Sequence, residues 1–249
     1  MYRKYYLLIL LGALQYAAYT QPPRYAEQQI HSHNDYKQRS PFYTAYKAGC
    51  GSIEADIFLW GGTLLVAHQL NEVAPENTLE HLDKIDSCIR SNNGLPYSDK
   101  NKKLQLVIDL KTEASPALQQ LIKHLENYPA IVTNKNIIIT ITGNQPPEEA
   151  WPQYPSYIFF DGQPARSYNK KSLSRIYMFS SNFATYNIRN QDYSPLIPVV
   201  HHIHRYGKKI RFWGAPDNTG TWQHLTAIGV DYINTDHIPE LKTFFKNTP

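Results

Sequence analysis

Three carboxylates and a lysine stand at the ends of two consecutive predicted strands. Glu54 and Asp56 are two residues apart in one strand, and Asp109 and Lys111 repeat this spacing in the next. Because side chains alternate across a strand, each pair lies on one face. Neighbouring carboxylates repel each other when buried, unless a cation neutralises them. Three oxygen ligands suit a hard cation, Mg2+ or Ca2+, and the alternative is a salt-bridge network with Lys111 that binds no metal.

Three histidines stand close to these carboxylates in the chain. His31 and His33 follow the first predicted strand, and His68 follows a short strand over residues 63–67. Imidazole titrates near neutral pH and is therefore suited to proton transfer in phosphodiester chemistry. His33 and His68 could flank a phosphate, one as general base and the other as general acid. We expect the remaining histidines to be structural.

Strand and helix patterns alternate along the chain. Apolar or β-branched runs predict eight strands, centred near residues 30, 54, 107, 139, 159, 177, 211 and 233. Helical patterns lie between them at residues 41–47, 78–90, 116–127, 196–206, 221–228 and 239–246. This α/β alternation predicts a single-domain (β/α)8 TIM barrel over residues 21–249, with the polar strand ends at its catalytic mouth. A doubly wound open sheet is the alternative, but the sequence contains no Gly-rich phosphate loop.

The first twenty residues have the pattern of a targeting segment. A short basic start precedes an apolar run over residues 5–18, and small residues precede Gln21. This predicts a signal peptide at residues 1–20 and an extracytoplasmic protein, periplasmic or secreted. The alternative is an uncleaved anchor, which would also leave room for an intracellular lipid-signalling enzyme.

Cys50 and Cys88 are the two cysteines of the chain. One disulfide is compatible with an extracytoplasmic location, and two unpaired buried thiols are equally compatible with the sequence. Their number and spacing match no zinc site.

The composition excludes several classes of protein. Of the 249 residues, 42% are hydrophobic and 18% are charged, which excludes a disordered chain, a collagen-like repeat and a coiled coil. The formal net charge is +4 and falls to +2 without residues 1–20. Such a small charge argues against nucleic acid as a partner.

The chemical residues occur in an order that resembles a known superfamily. His-Ser-His-Asn-Asp-Tyr at residues 31–36 precedes Gly-Ser-Ile-Glu-Ala-Asp-Ile at residues 51–57, and His68 comes fourteen residues after Glu54. This order resembles the phosphatidylinositol phospholipase C-like phosphodiesterases. They include the glycerophosphodiester phosphodiesterases, bacterial phosphatidylinositol phospholipase C and the spider-venom sphingomyelinase D enzymes. The likeness is strongest to a branch with the His-x-His-Asn-Asp-Tyr opening.

Two later segments fit the same superfamily. Residues 107–112 resemble its third strand and residues 229–236 its last, so the resemblance spans residues 28–113 and 209–237. The chain lacks the His-Arg-Gly opening of the glycerophosphodiesterases, and its Pro-Glu-Asn-Thr at residues 75–78 follows His68 instead of the first histidine. These departures put glycerophosphodiesters in doubt as the substrate but leave the general chemistry.

The resemblance implies roles for the matching carboxylates and lysine. Glu54, Asp56 and Asp109 correspond to the metal ligands of the superfamily, and Lys111 corresponds to a lysine that binds the phosphate. The implied cofactor is Mg2+ or Ca2+.

The resemblance also implies the catalytic histidines and the substrate contacts. His68 corresponds to the second catalytic histidine. For the first, the separation from Glu54 and the following Asn34 favour His33, with His31 as the second choice. We expect Asn34 and Trp213 to contact the substrate, Trp213 as a cover at the mouth.

Together these features predict a secreted, metal-dependent phosphodiesterase. Its substrate would be a glycerophosphodiester, a phospholipid or a related phosphodiester, cleaved by hydrolysis or by formation of a cyclic phosphate. We expect a monomer whose partner is a small phosphodiester or a phospholipid head group, and 19 tyrosines are compatible with peripheral contact with a membrane surface. An amidohydrolase-like enzyme with metal-binding His31 and His33 is one alternative, and a non-catalytic ligand-binding barrel is another.

Overall fold

Eight parallel strands form a nearly closed barrel in the computed structural model, which describes residues 25–247. The predicted signal peptide lies outside the described residues. A ninth strand, β3, pairs antiparallel with β2. In chain order the strands are β1 (Ile30–Ser32), β2 (Ser52–Trp60), β3 (Thr63–Val66), β4 (Leu104–Leu110), β5 (Ile137–Gly143), β6 (Ile158–Gly162), β7 (Ile176–Asn182), β8 (Lys209–Trp213) and β9 (Ile233–Thr235).

The barrel closes between its two end strands. The sheet order is β8-β7-β6-β5-β4-β2-β1-β9, and a parallel bridge between Arg211 and Tyr232 brings the end of the chain back to β8. The predicted TIM barrel is therefore confirmed, including the extra strand after β2.

Helices surround the barrel between successive strands. They are α1 (Tyr43–Ala48), α2 (His81–Ser91), α3 (Ala114–Leu125), α4 (Pro129–Val132), α5 (Lys170–Ser174), α6 (Ile197–His204), α7 (Thr219–Ala227) and α8 (Ile238–Asn247). After β5 the chain forms a 3-10 helix, Glu148–Gln153, because Pro152 inside this segment has no N–H for an α-helical bond. Within residues 25–247, no helix is long and apolar enough to cross a bilayer.

The two faces of each strand have different chemistry. On β5, Ile137, Ile139 and Ile141 belong to the apolar core packed under the helices. The intervening Thr140 and Thr142 bond to side chains from neighbouring strands, Gln105 and Asp161. The helices therefore cover an apolar outer surface, and these polar side chains lie on the opposite face, inside the barrel.

The hairpin of β2 and β3 turns at Gly61 and Gly62. Both glycines have positive φ, 56° and 82°, which a two-residue hairpin turn of this kind requires. The antiparallel pairing returns the chain to the level of Asp56, whose carbonyl accepts a hydrogen bond from the Ala67 amide at 3.2 Å. The residue after Ala67, His68, consequently lies beside Asp56.

Cys50 and Cys88 are both buried and are not bonded to each other. Burial raises the pKa of the Cys88 thiol. Of the two arrangements compatible with the sequence, this structure has the unpaired thiols.

Asp35 ties the segment after β1 to the rest of the fold. The fully buried carboxylate accepts hydrogen bonds from the Ser32 hydroxyl at 2.7 Å and from the Phe42 amide at 2.5 Å. His81 of α2 contacts the same carboxylate, at 3.3 Å from its Nε2. One side chain therefore holds β1, the start of α1 and α2 together.

We predict that Asp35→Ala lowers the free energy of unfolding by about 3 kcal/mol, because it leaves buried donors without an acceptor. Urea unfolding followed by circular dichroism measures this loss. Asp83→Ala is the control, since Asp83 accepts an exposed bond from Tyr128 and should cost less than about 0.5 kcal/mol. Equal losses in the two variants would contradict the structural role of Asp35.

Candidate functional site

A cavity of about 730 Å³ opens at the carboxyl ends of the barrel strands. Eight of the nine residues assigned to the site from the sequence line it: His33, Asn34, Glu54, Asp56, His68, Asp109, Lys111 and Trp213. The ninth, His31, is fully buried and lies outside the cavity wall. The fold thus gathers these residues from five strands, β1, β2, β3, β4 and β8, into one space.

Glu54, Asp56 and Asp109 form an acidic cluster at the cavity wall. They offer one oxygen each such that all three oxygens lie within 4.8 Å of one another. Asp56 and Asp109 are register partners on β2 and β4, which explains their proximity. Oxygen donors at this spacing fit a hard divalent cation.

One oxygen of each acid is already engaged by the protein. Glu54 uses Oε2, Asp56 uses Oδ2 and Asp109 uses Oδ2 in their bonds to neighbouring side chains. Among the described residues, no donor bonds to the other oxygen of any of the three. Each acid therefore keeps one oxygen that no donor within residues 25–247 engages.

Lys111 lies against the acidic cluster. Its Nζ is 3.0 Å from Oδ2 of Asp56 and 2.8 Å from Oδ2 of Asp109. Burial lowers the pKa of Lys111, but the two carboxylates outweigh it and the net pKa is raised. The salt-bridge network considered from the sequence therefore exists, and the unengaged oxygens leave it compatible with a bound cation.

His68 is fixed by Asp56 on its inner nitrogen. Nδ1 is 2.9 Å from Oδ2 of Asp56, which also accepts a bond from the Tyr36 hydroxyl at 2.9 Å. An Nδ1 proton shared with a carboxylate leaves Nε2 to accept or donate a proton. In the described part of the chain, Nε2 has no partner, so it is available to a ligand in the cavity.

His33 has an analogous arrangement at the other side of the mouth. Its Nδ1 is 3.0 Å from Oδ1 of Asp236 and 3.2 Å from Nδ2 of Asn34. Burial alone would lower the pKa of His33, but the bond to Asp236 and the charge of Glu54 raise it overall. Asn34 packs against His33, and its Oδ1 accepts a hydrogen bond from the Tyr36 hydroxyl at 2.9 Å, so Asn34 is held at the cavity wall.

His31 lies beneath the cavity wall. Its Nδ1 is 2.7 Å from the Ser52 hydroxyl, and its Nε2 is 2.9 Å from Oε2 of Glu54 and 2.5 Å from Nη1 of Arg211. Burial and the charge of Arg211 lower the pKa of His31 to about 4, against a smaller opposing effect of Glu54. His31 is therefore neutral at pH 7 and has no direct route to a ligand, whereas His33 has one.

Sequence reasoning missed Arg211 and the partners of the histidines. Arg211 on β8 is 3% exposed and lies 3.5 Å from Oε2 of Glu54. Burial raises the pKa of Glu54, but the charge of Arg211 acts in the opposite direction, and the net pKa is well below its usual range. The alternation of Arg211 with Trp213 places both on one face and was the available signal.

Trp213 and Asp161 complete the wall. Trp213 is 43% exposed at the mouth, the position expected of a substrate cover. Asp161 on β6 is buried and accepts hydrogen bonds from Ser180 and, at 3.1 Å, from Thr142. Burial raises the pKa of Asp161 to about 6, although Arg211 acts in the opposite direction.

Gly143 makes room for the carboxylate of Asp109. A Cβ at this position would collide with Oδ1 of Asp109 and would lie 2.7 Å from the carbonyl oxygen of Leu110. The φ of Gly143 is also +71°, a region that favours glycine. The close approach of β5 to β4 therefore depends on the missing side chain.

Two family models match the chain. One, described as the AIM6-like phosphodiesterase domain, matches residues 25–161, more than half of the chain. The other, the glycerophosphoryl diester phosphodiesterase family, matches residues 209–239. The first match includes the acidic cluster and Lys111, and the second includes Trp213.

Individual proteins give the same result. The chain is 27% identical to altered inheritance of mitochondria protein 6 of Eremothecium gossypii, over 87% of this chain and 69% of that protein. Its identity to the homolog from Arthroderma benhamiae is 26%, over 87% of this chain and 83% of that one. The crystal structure of a glycerophosphodiester phosphodiesterase from Parabacteroides distasonis has a TM-score of 0.56 at 14% identity, covering 89% of this chain and 98% of its own. At that identity, the likeness shows a common fold.

We predict that Gly143→Ala displaces Asp109 and destabilises the protein more than Gly94→Ala does. Both glycines have positive φ, but a Cβ on Gly94 meets no atom within 4 Å. The difference in the free energy of unfolding should be about 1–3 kcal/mol, the cost of overpacking. Urea unfolding of both variants measures it, and equal losses would mean that Gly143 serves only its backbone conformation.

We predict that the stabilising effect of His31 increases as the pH rises from 4 to 6.5. Between these values the unfolded chain protonates His31 while the folded protein keeps it neutral, because its folded pKa is about 4. The difference in unfolding free energy between the wild type and His31→Gln should therefore grow with pH and level off above pH 6.5. Urea titrations from pH 4.5 to 7.5 test this, and a difference that falls with pH would be inconsistent with a neutral, buried His31.

Proposed function

The chain belongs to the family of AIM6-like phosphodiesterase domains, and from this premise we propose that it cleaves a phosphodiester with a divalent cation and two histidines. The observation that carries the proposal is the acidic cluster of Glu54, Asp56 and Asp109, which lies in one cavity with His33 and His68. The name of the Parabacteroides distasonis structure, a glycerophosphodiester phosphodiesterase, supports the same bond as the target.

The acidic cluster would hold Mg2+ or Ca2+. When bound, such a cation supplies positive charge for the phosphate oxygens in the transition state. Lys111 lies against the cluster through Asp56 and Asp109 and would add a second positive charge to the phosphate. Both positive charges stabilise the transition state more than the bound substrate, because the transition state carries additional negative charge on the phosphate oxygens.

The histidines would move the protons. One of His33 and His68 takes a proton from the attacking hydroxyl as its oxygen bonds to phosphorus. The other gives a proton to the leaving oxygen as the old P–O bond breaks. Water as the nucleophile gives hydrolysis, and a neighbouring hydroxyl of the substrate gives a cyclic phosphate. Asp236 contacts Nδ1 of His33, and Asp56 contacts Nδ1 of His68. Nε2 is therefore the reacting atom of each ring.

The proposal extends to the substrate and to the location of the protein. The substrate would be a small phosphodiester or the head group of a phospholipid, covered by Trp213 and contacted by Asn34 at the mouth. A phospholipid would require peripheral contact with a membrane surface. We further propose that residues 1–20 direct the protein out of the cytoplasm. We also propose that the protein acts as a monomer.

No observation favours the alternative functions. An amidohydrolase-like site needs His31 and His33 on one metal, but Nε2 of His31 is engaged by Glu54 and Arg211. The metal-binding group found within the described residues contains carboxylates and no histidine. A non-catalytic binding barrel becomes an outcome of the experiment below.

We predict that bis(p-nitrophenyl) phosphate is hydrolysed by the chain from Gln21 in the presence of Mg2+ or Ca2+, and not after the metal is removed. His68→Ala should lower kcat/KM by about 100- to 10,000-fold because it removes a proton-transfer group. Glu54→Gln should raise the cation concentration needed for half-maximal activity, because it removes one charged ligand. Release of p-nitrophenol with no metal, Mg2+, Ca2+ or Zn2+ is the measurement.

The control is His201→Ala, which changes an exposed histidine on α6 and should retain wild-type turnover. Circular dichroism checks that each variant is folded. Wild-type turnover in His68→Ala would overturn its catalytic role. Activity with Zn2+ alone would favour the amidohydrolase-like alternative, and cation binding without turnover of any diester would favour a binding barrel.

A further inference from the structure

Arg211 is a buried cation to which the proposed reaction gives no role. It lies on β8, across the barrel from β2 and β4, and it forms part of the cavity wall. Its side chain is 3% exposed, as deeply placed as the carboxylates that it faces. Burying a guanidinium costs free energy unless its charge is paired, so the groups that pair with Arg211 indicate its role.

The guanidinium joins both sides of the barrel interior. Nη1 lies 3.5 Å from Oε2 of Glu54 and 3.4 Å from Oδ1 of Asn234, and Nη2 lies 3.9 Å from Oδ2 of Asp161. Nη1 is also 2.5 Å from Nε2 of His31. The planar fork therefore spans Glu54 and Asp161, a reach that a single ammonium does not have.

The contact with Arg211 determines which nitrogen of His31 carries the proton. An arginine only donates hydrogen bonds, so the contact of Nη1 with Nε2, 2.5 Å apart, is a hydrogen bond when Nε2 accepts. The proton of the neutral ring is then on Nδ1, where it is donated to the Ser52 hydroxyl. Nε2 consequently has no proton for Glu54, although the two atoms are 2.9 Å apart.

This assignment makes Arg211 the donor to Glu54. Oε2 of Glu54 has His31 and Arg211 as its neighbours, and of these only the guanidinium carries a proton and a charge. With Oε2 anchored, rotation of the carboxylate is restricted and Oε1 is left as the oxygen available to a cation.

We propose that Arg211 is a positioning residue that holds the carboxylate of Glu54, and the Nδ1–H tautomer of His31, in the arrangement that binds the divalent cation. It acts through Glu54 and contacts neither the cation nor the reacting atoms. This inference rests on the proposed function for the cation and extends it to a residue outside the acidic cluster.

Cation binding by titration calorimetry is the first test, with Ca2+ and Mg2+ as probes. Arg211→Met should weaken binding at least tenfold, and Arg211→Lys should recover part of that loss because it restores the charge without the fork. Arg175→Met is the matched control: Arg175 is a partly buried arginine whose Nη2 bonds to backbone carbonyls just before and at the start of β6. It should lose stability but bind the cation within twofold of the wild type.

A double-mutant cycle separates positioning from general damage. If Arg211 acts through Glu54, then Arg211→Met should weaken the cation binding of Glu54→Gln by less than twofold. The double variant also removes both buried charges, so it remains measurable if Arg211→Met alone fails to fold. Wild-type affinity in Arg211→Met, or losses that simply add in the double variant, would overturn the proposal.

The tautomer of His31 is an independent readout that needs no cation. Nitrogen-15 NMR of the wild type should show a protonated Nδ1 and an unprotonated Nε2 for His31. In Arg211→Met the proton should move to Nε2, where Glu54 then accepts it. A wild-type protein that binds no cation but shows this tautomer and its shift would overturn the metal-dependent function and retain the positioning of Glu54. A protonated Nε2 in the wild type would overturn the positioning itself.

Discussion

Four carboxylates share the interior of one barrel with two cations, and the rest of the site depends on how these charges are paired. Lys111 contacts Asp56 and Asp109, while Arg211 lies between Glu54 and Asp161. TIM-barrel interiors are usually filled by layers of branched apolar side chains. Here the four carboxylates outnumber the two cations inside the barrel, and this imbalance favours a divalent cation. Burial also raises the pKa of Asp161 to about 6, although Arg211 acts in the opposite direction.

The apolar part of the structure is separate from these charges. The Ile and Leu side chains of the strands point outward and pack under the helices, where they bury the surface that stabilises the fold. The charged interior and the apolar layer therefore lie on opposite faces of the same strands. The short hairpin of β2 and β3 belongs to the charged interior, because it brings His68 beside Asp56.

Much of the fold could be predicted because each element has a local signal. The run Asn-Ile-Ile-Ile-Thr-Ile-Thr reads as a strand, and β5 begins one residue into it. The 3-10 helix after β5 and the short helix α5 were not predicted, since proline and short length remove the 3.6-residue period. Eight of the nine residues assigned to the site line one cavity, because they stand at or near the carboxyl ends of strands, which meet at one mouth.

The sequence by itself determined which residues share a face. The two-residue spacing of Glu54 with Asp56, and of Asp109 with Lys111, sets the acidic cluster and its lysine, since alternation across a strand is a local property of the backbone. Depth in the barrel and contacts across it depend on register and closure, which no local pattern contains. Only the tertiary structure therefore placed His33 in the cavity wall with His31 beneath it. It also brought Arg211 to His31, across 180 positions of sequence.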